Sequence, residues 1–354
     1  MFLKKRNPIG LDIGSSYIKS VQLNDTQDGY ELSFVSIHRL DEELIVDGII
    51  ADKKRLAASL REALKLTGVK RGDAVLGVSG HSSVIIKKIV VPVMTGEELG
   101  ASIKSEAEQY IPYDFDVNDV NIDFEILGAK PDEAGQMDVI LVAARKNVIA
   151  DYAEVVDMAG LDPVIMDADA FALSNMYELN YSGSGKKHVA LVNVGASKTN
   201  ISVVHEGLLV FGRDSAVGSS YHTEVLEKDL GISREDAERL KLGQSVAGIS
   251  SEKAEAALAV ASDEICTDIY RSFEYFKSSA VEEEVSEVIL SGGAALIKKF
   301  REMMGEKLGL QVELADPFKK IKIPEKLGPS NIRQIAPMVA VAVGLALRRA
   351  GDRL

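Results

Sequence analysis

The sequence predicts an α/β protein built from two related lobes. Three observations carry that reading. Leu11-Asp12-Ile13-Gly14-Ser15-Ser16 recurs as Val192-Asn193-Val194-Gly195-Ala196-Ser197, and a strand pattern follows each copy, as an internal duplication would leave it. Short β-patterned runs alternate with helix-period runs along the chain. The length of 354 residues exceeds one ordinary core and fits two.

Residues 9–13, 17–23 and 30–37 read as strands separated by turns, and 51–66 as a helix with Leu56, Leu60, Ala63 and Leu64 on one face. A compact mixed stretch follows, with strands at 74–78 and 84–90. A helix starts near Thr95, where Thr95-Gly96-Glu97-Glu98 has the form of a capping box. Strands near 120–127 and 138–143, a helix over 147–159, a strand at 163–166 and a helix over 169–179 complete the first half. Tyr181-Ser182-Gly183-Ser184-Gly185 is a short flexible joint. The opening pattern then repeats as strands at 188–192, 199–204 and 208–213. Helices dominate 219–280, the longest carrying Leu258, Ile265, Ile269, Phe273 and Phe276 as a core stripe. A strand at 288–290, a Gly-Gly turn and a final helix pair close the chain.

A chain 46% hydrophobic and 27% charged is globular, and a net charge of −13 excludes broad nucleic-acid binding. Cys266 is the single cysteine, so no intramolecular disulfide forms and a reducing compartment is expected. His38, His81, His188, His205 and His222 are scattered without zinc-ligand spacing. The basic start Met1-Phe2-Leu3-Lys4-Lys5-Arg6 runs into Asn7-Pro8 instead of the apolar core of a secretory signal. No apolar run approaches the roughly 18 residues of a membrane helix. The nearest, 335–347, contains Pro337 and Gly344 and reads as a buried core helix, so a soluble cytoplasmic protein is expected.

The chemistry concentrates in three turns. In the first repeat, glycine and small hydroxylated residues let backbone N–H groups face an anion; Ser15 and Ser16 add hydroxyls and Lys19 a charge. Asp12 ends the first strand, where a carboxylate organises Mg²⁺ and its waters beside bound phosphates. Taken alone, such a Gly-Ser turn equally suits an ordinary hairpin. The second repeat supplies a matching turn, and the two together would clamp the ends of a triphosphate. The third element, Val288-Ile289-Leu290-Ser291-Gly292-Gly293-Ala294-Ala295, runs a strand into a Gly-Gly turn and a helix, leaving bare backbone beside a flat purine or ribose.

In this order the three elements resemble the phosphate-1, phosphate-2 and adenosine motifs of the actin-like ATPase superfamily, over nearly the whole chain. The resemblance implies a two-lobed actin-like fold (ribonuclease H-like and duplicated) that binds ATP with Mg²⁺. The implied ATP contacts are Gly14, Ser15, Ser16, Lys19, Gly195, Ala196, Ser197, Gly292, Gly293 and Ala294, with Glu238 and Lys241 on the nucleoside side. Asp12 and Asn193 are implied to hold Mg²⁺ through water, and Asp169 to position an attacking water. Residues 169–176 and 336–346 look like the two helices that connect the lobes.

Within that superfamily, residues 10–19, Val46-Asp47-Gly48-Ile49-Ile50, 106–112, 141–146 and 211–218 are similar to the PilM family of type IV pilus assembly proteins, relatives of the division protein FtsA. Residues 74–165 resemble the subdomain that FtsA and PilM carry in place of the usual actin one. The organisation implied is residues 1–73 as part of the first lobe, 74–165 as the insert and 166–182 as the first connecting helix. Residues 183–335 then form the second lobe with its nucleotide contacts, and 336–354 the connecting helix that returns to the first. The function implied is an ATP-binding scaffold of the pilus inner-membrane platform. Its partner would be the N-terminal cytoplasmic tail of a PilN-like inner-membrane protein, alongside other pilus components, and would bring the protein to the membrane. The tail is expected in a groove where the insert meets the first lobe; Tyr110-Ile111-Pro112-Tyr113, at the end of an acidic helix, either borders such a groove or caps the helix and packs internally.

Two residues depart from the superfamily pattern. Asn193 stands where the second lobe normally has aspartate, and Asp169 where glutamate or glutamine is usual. Hydrolysis depends on charge at the metal and on orientation of the water, so binding with slow or absent turnover is expected. An FtsA-like filament is the alternative function, but FtsA-type chains continue into an amphipathic membrane helix, whereas this sequence stops at Leu354. A sugar- or acid-kinase would need a catalytic aspartate in a substrate pocket, for which the insert leaves no evident place.

Overall fold

The computed structural model describes residues 7–41, 44–46, 48–65, 67–80, 82–111, 116–129, 135–181, 187–279, 284–349 and 352. Met1 to Arg6, Asp47, His81, Pro112, Tyr113, the joint from Ser182 to Gly185, Ala280 and most of the last five residues lie outside them.

The first lobe opens with β1 (Ile9–Ile13), antiparallel to β2 (Tyr17–Thr26), which pairs with β3 (Gly29–Arg39). A small hairpin of β4 (Ile45–Val46) and β5 (Ile49–Ile50) precedes α1 (Lys53–Lys65), whose four expected core residues are buried. Then β6 (Asp73–Val78) lies parallel to β1. Three strands, β7 (Val84–Pro92), β8 (Val120–Ala129) and β9 (Gln136–Arg145), form a separate sheet in the order β7-β9-β8. One face of it packs on α2 (Gly96–Ala107), through Ile89, Val139 and Leu141 against Leu99 and Ile103. The capping box at Thr95 is present, with the Thr95 N–H donating to Glu98 Oε2 at 2.8 Å. The chain returns through α3 (Lys146–Met158) to β10 (Asp162–Ala168), parallel to β6, and enters α4 (Asp169–Tyr181).

The second lobe repeats the plan. β11 (His188–Val194), β12 (Thr199–His205) and β13 (Leu208–Ser215) form an antiparallel meander. Three helices follow: α5 (Ser220–Leu230), α6 (Arg234–Lys241) and the 29-residue α7 (Ser251–Ser279), with the expected stripe buried. β14 (Val285–Ser291) lies parallel to β11, and after α8 (Phe300–Leu308) β15 (Gln311–Leu314) lies parallel to β14. The orders β10-β6-β1-β2-β3 and β15-β14-β11-β12-β13 therefore coincide strand for strand, and the duplication seen in two turns extends through both sheets. β16 (Ile321–Lys322) crosses back to pair with β3, and α9 (Pro329–Ile335) and α10 (Ala340–Leu347) end the fold.

The boundaries differ from those the sequence led us to expect. β6, α3 and β10 belong to the first lobe, because their strands pair into its sheet, so the insert spans 84–145 instead of 74–165. β16 likewise places 321–322 in the first lobe's sheet and not in the second lobe. A strand buried on both faces is an unbroken apolar run whichever sheet it joins, and Ala74-Val75-Leu76 carries no mark of its partner. The third element also differs: the Gly-Gly turn leads into a short 3-10 turn at Gly293–Leu296, and the helix proper begins at Phe300.

The core between the lobes is built on α4 and α10. α10 is apolar around its circumference, as a helix enclosed on all sides must be, whereas α4 buries an apolar majority together with Asp169, Ser174 and Asn180 and exposes Glu178. A Cβ on Gly344 would lie 1.7 Å from the Ala172 carbonyl oxygen, so glycine sets how closely the two helices cross. The continuous helix expected over 335–347 is broken by Pro337, which sits in a 3-10 turn at Ala336–Val339. Contrary to expectation, the 19-residue helical stretch Pro329–Leu347 is long and apolar enough to cross a membrane by composition, with a mean hydropathy of 1.3. Its apolar surface is spent inside the fold, where every residue from Ala340 to Ala346 is buried. The insert reaches the same core from its other face: Val84, Ile140 and Val142 join Val189, Leu191 and Leu209 of the second lobe. Nor are the histidines all apart in space, since His188 and His205 are register partners whose rings stack at 4.2 Å.

Candidate functional site

Each repeat folds as a hairpin whose turn is closed by one backbone bond: Gly14 N–H to Tyr17 C=O at 3.0 Å, and Gly195 N–H to Lys198 C=O at 2.9 Å. The two turns face one another, and the Ser15 hydroxyl donates to Ser197 Oγ at 3.0 Å across the gap. Seven positions after the strand-end residue, each hairpin supplies its partner. In the first lobe Lys19 Nζ donates to Asp12 Oδ2 at 2.8 Å; in the second Asn193 Nδ2 donates to Asn200 Oδ1 at 2.9 Å. The duplicated unit thus carries a part-buried ion pair in one copy and a neutral amide pair in the other.

The turns line a cleft of about 1460 Å³, open to solvent, between the lobes. Asp12, Gly14, Ser15, Ser16, Lys19, Asp169, Asn193, Gly195, Ala196, Ser197, Glu238, Lys241 and Gly293 are brought together on its wall. Gly292 and Ala294 are not. Gly292 sits behind the wall at φ +90°, where a Cβ would lie 2.3 Å from the Val194 carbonyl oxygen, and Ala294 faces the second lobe's core. On a chain of net charge −13, the cleft gathers Lys19, Arg39, Lys198, Arg234 and Lys241 against Asp12, Asp169 and Glu238. That local excess of cations suits a polyanion.

At the second-lobe end, Glu238 and Lys241 are held on α6 as a pair at 2.5 Å, and Lys241 also donates to Thr223 Oγ1 at 2.9 Å. Burial pushes the Glu238 carboxyl up, but the Lys241 charge and the two hydrogen bonds outweigh it and hold it below its ordinary range. Burial holds the Lys241 ammonium below its usual value despite Glu238. Leu242, Leu296, Ile297 and Met338 add an apolar wall beside this pair. The pair is therefore part of the cleft and not a solvated helix surface.

At the floor, Asp169 begins α4 and is buried, with only its edge reaching the cleft. Burial pushes its carboxyl up to about 6, Lys198 opposing and Asp12 adding to the rise. It accepts a short hydrogen bond from the Ser79 hydroxyl. Lys198 reaches over from the second lobe and donates to the Ser79 carbonyl at 3.0 Å and to its hydroxyl. Asp214 on β13 accepts from the Gly80 N–H at 2.5 Å and from Asn200 Nδ2 at 2.7 Å. Reading the sequence missed Lys198, Ser79 and Asp214. Lys198 had a signal, since it directly follows the second turn; Ser79 and Asp214 are joined to the cleft only by strand pairing.

A second concavity of about 590 Å³ lies where the insert meets the first lobe. Gly48, Ile49 and Ile50 of the β4–β5 hairpin form one side, Ser82, Ser83 and Arg145 the base of the insert, and Asn147, Val148, Asp151 and Tyr152 of α3 the floor. Val148 and Tyr152 line the cleft as well, so a single layer of side chains separates the two. Of the two readings open for Tyr110 and Ile111, the structure has them packing with the core of the insert.

Comparison with known proteins agrees with this arrangement. The family model for the type IV pilus assembly protein PilM matches residues 10–350. A solved PilM-PilN type IV pilus biogenesis complex superposes with a TM-score of 0.86 at 23% identity, covering 98% of this chain and 100% of the other. The ethanolamine utilization protein EutJ of Carboxydothermus hydrogenoformans gives a TM-score of 0.56 at 16% identity, over 96% of this chain and 89% of that one. MreB5 of Spiroplasma citri, solved bound to ADP, gives 0.51 at 13% identity, over 97% and 95%. With the duplicated sheets, the facing turns and a family match over almost its whole length, this chain has the actin-like ATPase fold and belongs to the PilM family of type IV pilus assembly proteins.

Proposed function

We propose that this protein is an ATP-binding scaffold of the pilus inner-membrane platform that holds the N-terminal cytoplasmic tail of a PilN-like membrane protein. The observation that carries it is the pair of adjoining concavities, one cation-rich and one part-apolar. In the cleft, the turns at Gly14 and Gly195 would hold phosphates with Ser15, Ser16, Ala196, Ser197 and Lys19. Glu238, Lys241 and Gly293 would hold the nucleoside, with Gly292 and Ala294 supporting the turn from behind. Asp12, and more weakly Asn193, would orient Mg²⁺ through water. The metal, when bound, supplies charge neutralisation at the phosphates. Asp169 would position water. Its burial and the neutral Asn193–Asn200 pair support slow or absent hydrolysis.

The groove suits an extended peptide. Among the described residues β4 and β5 pair only with each other, which leaves strand edges for main-chain bonding. Val46 and Ile49 are 53% and 58% exposed on that hairpin, an apolar contact rimmed by Arg145 and Asp151. The solved PilM-PilN complex of the same fold supports the identity of the occupant, and through it the protein would reach the inner membrane.

The test is capture of the cognate tail peptide by the full chain and by Ile49→Asp, alongside thermal melts with Mg-ATP. The parent is expected to capture the peptide and to melt higher with nucleotide. Ile49→Asp is expected to keep the melt shift and lose the peptide. Retained capture would place the peptide elsewhere, and no shift in nucleotide-free parent protein would remove ATP from the reading.

A further inference from the structure

The segment from Ser79 to Ser83 belongs to both concavities. Ser79 lines the cleft, while Ser82 and Ser83 line the groove. Its two ends are tied together, since the Ser83 and Val84 N–H groups both donate to the Gly80 carbonyl at 2.9 Å. It joins the end of β6 to the start of β7, and so carries the insert on the first lobe. Yet its cleft end is gripped from the second lobe, by Lys198 on Ser79 and by Asp214 on Gly80. On the other side it meets the groove hairpin. A Cβ on Gly48 would lie 3.4 Å from the Ser79 carbonyl oxygen and 3.8 Å from Ser83 Oγ, and Tyr152 donates its hydroxyl to the Gly48 carbonyl at 3.2 Å. One carbonyl, that of Ser79, therefore stands between a cleft-lining ammonium and the groove hairpin.

We propose that Lys198 is a positioning residue that reports nucleotide occupancy to the peptide groove through Ser79 and Gly80. This rests on the nucleotide and peptide reading above and adds its regulation. The physical reason is competition. The Lys198 ammonium lines a cleft built for anions and hydrogen-bonds only a neutral carbonyl and a hydroxyl; its nearby charge, the Asp169 carboxyl, is reached through Ser79, so a phosphate that bonds the ammonium directly competes for it. Drawing the ammonium away loosens one of the two grips on the segment, to which Ser83 is tied through Gly80 and beside which Gly48 lies so close that an added Cβ would touch the Ser79 carbonyl. A triphosphate, with its added charge, is expected to act more strongly than a diphosphate. Both sites bias one element, and linkage then requires that peptide binding alter nucleotide affinity by the same factor.

A probe placed on the groove tests this without a partner. Cys266 is buried and its thiol is pushed up to about 12, so an environment-sensitive maleimide dye on Ile49→Cys reports from the hairpin alone. The labelled full chain is titrated with Mg-AMPPNP and Mg-ADP while calorimetry measures binding independently. The dye is expected to respond, more to the triphosphate analogue. Lys198→Ala, saturated with analogue, should lose the response, and Lys198→Arg should restore it. Asp214→Ala removes the other grip but also frees Asn200 on the cleft wall, so its affinity is measured by calorimetry first and its response is read at saturating analogue. At equal occupancy it should change the response, and a response identical to the parent's overturns the role of the Gly80 grip. A silent dye on protein that calorimetry shows to be loaded overturns the coupling and leaves nucleotide binding standing. An undiminished response in Lys198→Ala overturns the role of Lys198. Absence of calorimetric binding in the parent removes the nucleotide reading and the coupling with it.

Discussion

Asn193 and Asn200 show how one substitution in a duplicated unit propagates. Asn200 accepts from Asn193 through Oδ1 and donates to Asp214 through Nδ2, so its amide orientation is fixed at both ends. Asn193→Asp would set a carboxylate against that acceptor oxygen. The variant is expected to lose about 1–3 kcal/mol in urea unfolding, the cost of a buried polar group without a partner. Unchanged stability would show that Asn200 turns over freely. Asp167 permits a second measurement. It is buried beside Arg348, whose Nε lies 3.3 Å from Oδ2, and burial outweighs that cation and raises its carboxyl from 3.8 to about 6. A folded-state value above the unfolded one means the native protein holds the proton more tightly, so this stability is lost as pH rises from about 4 through 6. His222 runs the other way: burial holds it near 4, and the stability of keeping it neutral is lost as pH falls below its ordinary 6.5. The parent profile mixes both signs, whereas the difference between Asp167→Asn and parent isolates one. That difference is expected to move in favour of the variant between pH 4 and 7, by up to roughly 3 kcal/mol at 1.36 kcal/mol per pKa unit. A flat difference would show that Arg348 keeps Asp167 ionised.

At the scale of elements, the crossing of α4 and α10 is the joint on which both lobes hang. The Ala172 carbonyl occupies the space a side chain on Gly344 would need, and it is backbone, which cannot swing aside. Gly344→Ala is therefore expected to cost more than about 4 kcal/mol or to prevent folding, in the range reserved for core overpacking. Gly293→Ala serves as the control. It has no atom within 4 Å of the added Cβ and is expected to melt within a few degrees of the parent. Equal melting of the two variants would show that the helices can separate.

For the whole molecule, the expectation is that nucleotide joins two lobes already in contact. Mg-ATP at about 100 times its dissociation constant should stabilise the fold by roughly 2.7 kcal/mol. Asp12→Ala, which also frees Lys19, is expected to reduce that shift in a thermal melt. Turnover is expected to stay below about 1 per second, the lower end of ordinary enzymes. Faster steady-state phosphate release would contradict the neutral second-lobe pair as a brake.

The sequence by itself determined the duplication, most strands and helices, and the turns at Gly14 and Gly195, because these depend on local periodicity and on glycine and hydroxyl placement. The capping box at Thr95 and the stripe on α7 were legible for the same reason. Only the tertiary structure decided which sheet β6, β10 and β16 join, since an apolar strand does not name its partner. It alone withdrew Gly292 and Ala294 from the cleft wall and added Ser79 and Lys198. Lys198 and Ser79 lie 119 positions apart, and nothing in either neighbourhood encodes the other. Their contact arises because the two lobes pack so that the β11–β12 turn meets the segment leaving β6, a consequence of packing that no local pattern contains.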